Sequence, residues 1–137
     1  MPKLRFAAPL AAALFFVVAP ALADVSAYLF DALQPRAAFR PAWNKLIKDL
    51  QPIPDWLRQF NQNFDGESGQ LTAVTIEGKP YYQSFVCKPT DCGGRKFIVL
   101  FTADAQKAFG ALGGHGDPPE FFGGPSKAEQ DEMATGF

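Results

Sequence analysis

The sequence predicts an α+β domain built on an antiparallel meander, and three observations carry that expectation. Helical periodicity is clearest in the stretch before about residue 60. Alternating and near-continuous apolar runs begin at Leu71. Two cysteines, Cys87 and Cys92, stand five positions apart between two of those runs. Helices first, then strands, then a helix is a segregated order, unlike the alternation of βαβ units.

Ahead of these elements the chain has the parts of a secretory signal peptide in their expected order. Lys3 and Arg5 give a positive start, Phe6 to Val18 an apolar run, and Ala21-Leu22-Ala23 a small-residue cleavage site. The apolar run is short for the roughly 20 residues of a membrane span. Cleavage after Ala23 removes 23 of 137 residues and leaves 114, Asp24 to Phe137, the size of one domain. The expected organisation is therefore a signal peptide over 1–23 and a single domain over 24–137, in the periplasm and off the membrane. Lys3 and Arg5 leave with the signal, taking the formal net charge from −1 to −3. A mildly acidic chain without a basic run is a poor candidate for nucleic acid and a fair one for a basic partner.

Ser26 is placed to cap a first short helix that turns Tyr28, Leu29 and Leu33 inward and stops at Gln34-Pro35. The next helix is the clearest, because Phe39, Trp43, Leu46, Ile47 and Leu50 recur at three- and four-residue spacing while Arg40, Asn44, Lys45, Lys48 and Asp49 take the other side. Pro41 suits its first turn. Trp43 belongs to that core stripe and not to a cofactor site. Gln51-Pro52-Ile53-Pro54 is a stiff connector, Asp55 to about Phe60 a short helix, and Asn61 to Gly69 a loop.

From Leu71 the period changes. Leu71 to Glu77 reads as a strand, Gly78-Lys79-Pro80 as a turn, and Tyr81 to Cys87 as a second strand. Lys96 to Thr102 is almost wholly apolar, as a central strand covered on both faces would be. Ala103 to Leu112 reads two ways, a short helix carrying Ala105, Ala108, Phe109 and Leu112 or a strand over Lys107 to Leu112, and propensity favours the helix. Gly113 to Pro119 reads as a loop, and Glu120 to Gly123 as a brief edge strand or a core plug. Ser126-Lys127-Ala128-Glu129 has capping-box spacing for a polar last helix that frays into Thr135-Gly136-Phe137.

Two cysteines in an exported chain are most simply a disulfide. Closing so short a loop is worth only about 2 kcal/mol in the chain-entropy model, so its effect is local: it holds Lys88-Pro89-Thr90-Asp91 in one shape. The bland alternative is a bridge that does no more than staple a turn. Redox catalysis fits poorly, since it wants Cys-x-x-Cys at a helix start. Zinc fits poorly too, because two cysteines and the lone His115 fall short of a ligand set. His115 itself reads as a solvated loop histidine. No motif marks out a catalytic residue, and no phosphate-cradling loop follows a strand into a helix. The expectation is a non-enzyme without metal or cofactor.

A signal peptide, two early helices, and strands leading into Cys87-Lys88-Pro89-Thr90-Asp91-Cys92-Gly93 and out through Arg95 to Phe101 together resemble the Ivy family, periplasmic inhibitors of c-type lysozyme. The likeness is best from about Gly78 to Phe101. It implies a central antiparallel sheet of about five strands with helices on both faces, Lys107 to Leu112 as a strand, and often a homodimer. It also implies c-type lysozyme as the partner, with Lys88, Pro89, Thr90 and Asp91 as the loop that plugs the enzyme's cleft. The departure is Thr90, where that family usually carries a histidine that reaches both catalytic carboxylates. Those groups are roughly 5 Å apart in a retaining enzyme. An imidazole has two ring nitrogens and threonine a single O–H donor, so the exchange is worth about 1.5–3 kcal/mol, one to two decades in affinity. The competing expectation is a periplasmic binding or structural protein on the same scaffold with a different partner.

Overall fold

The computed structural model describes residues 27–137. The signal peptide, its cleavage site and the Ser26 cap lie outside the described residues. Three helices come first, α1 (Leu29–Ala32), α2 (Arg40–Asp49) and α3 (Asp55–Asn63). Six strands follow, β1 (Glu67–Ser68), β2 (Thr72–Ile76), β3 (Lys79–Cys87), β4 (Lys96–Thr102), β5 (Ala108–Gly114) and β6 (Asp117–Phe122), and then α4 (Lys127–Ala134). The strands form one antiparallel sheet in the order β1-β3-β4-β5-β6, with β2 also on β3.

Six strands fill five lanes, because β1 and β2 lie along the same side of β3. β1 faces Val86 and Cys87, and β2 faces Lys79 to Gln83. The lane breaks where the ring of Phe85 lies over Gly69, leaving no room for a Cβ there. The broken segment is taken up by the residues before α1. Leu29 N–H donates to the Gly69 carbonyl at 3.0 Å and Leu71 N–H to that of Ala27 at 3.0 Å, while the buried Ser84 hydroxyl donates to the Gly69 carbonyl at 2.8 Å. At the opposite edge β6 carries Pro118 and Pro119.

The near-continuous apolar run of β4 is explained by cover on both faces. Phe97, Val99 and Phe101 point into a core with α1, α2 and α3, whereas Ile98 and Leu100 point into a second core closed by Met133 of α4. Each such buried side chain contributes about 1.5–3 kcal/mol relative to exposure. Trp43 sits fully buried with the rings of Phe60 and Phe97 edge-on to it at 6.2 and 5.9 Å. Its indole N–H donates to Asn61 Oδ1 at 2.7 Å.

That last bond corrects one boundary. Asn61 lies in α3, which runs on to Asn63, and β1 begins at Glu67, so little of 61–69 is loop. Residues 108–114 are strand, as the family resemblance implies for 107–112 and against propensity, because they pair one by one with β4 from Phe101↔Ala108 to Lys96↔Gly113. The expected loop over 113–119 shrinks to a turn at His115-Gly116, both with left-handed backbone (φ 56° and 76°), and β6 starts at Asp117. The first hairpin likewise turns at Glu77-Gly78 (φ 50° and 77°), which puts Lys79 and Pro80 in β3. Tyr28 stacks on Phe30 in solvent, not in the core. The capping box of Ser126 and Glu129 forms as its spacing predicts. The end of the chain, though, is held: Lys96 Nζ donates to the Gly136 carbonyl at 2.9 Å, and Gly136 lies against Ile98.

Candidate functional site

The β3–β4 connection is built from two consecutive turns. Cys87↔Lys96 is the last pair of the ladder, and Lys88 N–H donating to the Arg95 carbonyl at 3.0 Å closes its base. Lys88-Pro89-Thr90-Asp91 forms the first turn, with Asp91 N–H donating to the Lys88 carbonyl at 3.0 Å. Pro89 presets the second residue of the turn, and Thr90 takes the left-handed position (φ 63°) that glycine or asparagine usually fills. A β-branched side chain there is a genuine outlier. Such strain persists only where the surroundings over-determine it. The surroundings here are the Cys87–Cys92 disulfide and the second turn, in which the Asp91 carbonyl accepts from Gly94 and Arg95 N–H at 3.1 and 3.0 Å.

Lys88, Pro89 and Thr90 are exposed, Asp91 and Cys92 half-buried, and Cys87 buried at the strand end. The loop therefore stands out from the sheet and is not folded back on it. Lys88 makes no ion pair among the described residues. The tip thus offers a cation, a hydroxyl and an anion on a rigid backbone.

The β5–β6 turn seats this loop. His115 N–H donates to the Gly93 carbonyl at 3.4 Å, and the imidazole Nε2 lies 3.9 Å from Asp91 Oδ2. A Cβ on Gly94 would run into Asp91 and His115, and one on Gly114 into the Gly94 carbonyl. The sequence holds no signal for this neighbour. His115 is 24 positions from Asp91, and only the β3-β4-β5-β6 register brings the two hairpin ends together. Beside them runs a groove of about 380 Å³ lined by Cys92, Gly93, His115, Asp117 and Phe137.

Glu67 has a carboxylate oxygen within 4.8 Å of both cysteine sulfurs, but these are bonded to each other and offer no thiolate to a metal. Two groups at the other end of the sheet have altered proton affinity. Burial, then the hydrogen bond to Glu129, raises Tyr81 above its ordinary 10.0. The Thr102 hydroxyl, then the Gln106 N–H, lowers Asp104 below 3.8.

Residues 38–132 match the family model described as inhibitor of vertebrate lysozyme (Ivy). A Pseudomonas aeruginosa protein named inhibitor of vertebrate lysozyme is 34% identical over 111 residues, which cover 80% of this chain and 69% of that protein. An uncharacterized protein of the same organism is 32% identical over 84 residues, covering 61% of this chain and 52% of its own length. A match across more than half of the chain, joined to the five-lane meander with helices on both faces, means that the chain belongs to the Ivy family.

Proposed function

We propose that this protein is an exported, non-enzymatic inhibitor of c-type lysozyme that acts in the periplasm by inserting the Cys87–Cys92 loop into the enzyme's active-site cleft. The family and the name of the 34% identical relative support inhibition of a lysozyme. The loop supports the mode. Lys88, Pro89 and Thr90 project into solvent on a backbone closed by a disulfide and three turn hydrogen bonds, so little conformational freedom is lost on docking. The observation that carries the reading is this protruding tip, rigid enough to keep Thr90 left-handed.

In the cleft, Thr90 Oγ1 donates to one of the two carboxylates while Lys88 supplies positive charge at the rim. Both leave the enzyme's acid and base in place but deny them substrate. The test is inhibition of a c-type lysozyme by the purified protein, run beside Thr90→His. Inhibition by the wild type that strengthens with histidine supports the reading. No inhibition by either protein at high micromolar concentration sinks it and favours a different periplasmic partner for the same scaffold.

A further inference from the structure

The disulfide loop and the β5–β6 turn form one surface. The contact of Gly94 with Gly114 and the His115 N–H bond to Gly93 fix the two hairpin ends to each other. His115 stands on this surface with 60% of its side chain in solvent, its Nε2 3.9 Å from the carboxylate of Asp91. His115 also lines the adjoining groove, together with Cys92, Gly93 and Phe137.

An acidic cleft poses a problem for this tip. A lysozyme presents two carboxylates roughly 5 Å apart, Thr90 has one donor, and Asp91 beside it only accepts and repels. Another donor is needed at the same place. Lys96 is engaged with the Gly136 carbonyl. Lys88 and Arg95 are exposed, on long side chains that lose much rotamer freedom when fixed. His115 sits on a two-residue turn already seated on the loop, next to the repelling Asp91.

Resting on the inhibitor reading, we propose that His115 is a second partner-contacting residue, donating from its imidazole to an acidic group of the lysozyme cleft that Thr90 does not reach. The recognition surface is then composite, drawn from two hairpins.

The chain has one histidine, so in ¹³C-labelled protein its imidazole Cε1–H gives a single NMR signal. That signal is expected to shift when unlabelled c-type lysozyme is added. His115→Gly, which suits the left-handed φ of 56°, is expected to weaken inhibition about tenfold, the worth of one hydrogen bond to a charged group. Both results are required. If the wild type binds lysozyme but the signal stays put, or if the glycine variant inhibits as well as the wild type, the inference is overturned and the inhibitor reading stands. If the wild type does not bind at all, both fall.

Discussion

Gly114 and Gly94, on neighbouring hairpins, pack backbone against backbone with no space for a side chain between them. Gly114→Ala must both open that contact and place alanine at a φ of 143°. The expected cost is about 1–3 kcal/mol, visible as a lower Tm. Inhibition should fall further than the Tm predicts, because the contact holds the loop's seat as well as the sheet. Equal losses in both would mean that the contact serves stability alone.

On the proposed reading, substitutions at Thr90 separate stability from recognition. Thr90→Gly relieves a left-handed β-branched residue, and the relief of about 1–2 kcal/mol exceeds the entropic cost of glycine, about 0.5–1 kcal/mol. A slightly higher Tm with weaker inhibition is therefore expected. Thr90→His supplies two ring nitrogens in place of one hydroxyl and should strengthen inhibition by about one to two decades. Titrating a c-type lysozyme with the three proteins, next to their melting curves, checks both.

Replacing Cys92 by alanine removes the cross-link from a loop that already has turn hydrogen bonds. The fold should survive with about 2 kcal/mol less stability, since its two cores lie elsewhere. The Cys87–Cys92 loop should suffer more, with backbone amides of residues 88–93 exchanging faster. Amide exchange measured by NMR against the disulfide-bonded protein decides this; unchanged exchange would make the bridge redundant.

Asp104 gives a pH signature at the far end of the sheet. Its folded pKa is lowered by the hydroxyl of Thr102 first and the N–H of Gln106 next. The stability it contributes is therefore present above the ordinary value of 3.8 and lost as pH falls through the folded value. Asp104→Ala should melt below the wild type at pH 7 and converge with it near pH 2. A constant gap between the two melting curves across that range would contradict the assignment.

The sequence was most legible where one physical demand dominated. The stripe from Phe39 to Leu50 has to bury one side of a helix, and Phe97 to Phe101 has to be covered twice, so both elements are plain from their periodicity. Ser126 and Glu129 announce their cap by spacing. Residues 108–114 were illegible to propensity because Ala, Gly and Leu say little alone, and the strand exists through its pairing with β4. His115 is exposed on its turn, as a solvated loop histidine would be, but its place beside Asp91 was not legible. Its meaning depends on Asp91 standing nearby, and no local pattern records a contact made by sheet register. The length of α3 was hidden for the same reason, since Asn61 is held by the distant Trp43.

The broken lane at Gly69 and the prolines at 118 and 119 have one consequence in common. On the proposed reading the Cys87–Cys92 loop has to meet another molecule, and open sheet edges would compete for such encounters by pairing with passing strands. Among the described residues, one border of the sheet is divided into short pieces with a crossing segment over the gap, and the row of amides along the other is interrupted by Pro118-Pro119. Both edges therefore give a passing β-strand little to grip.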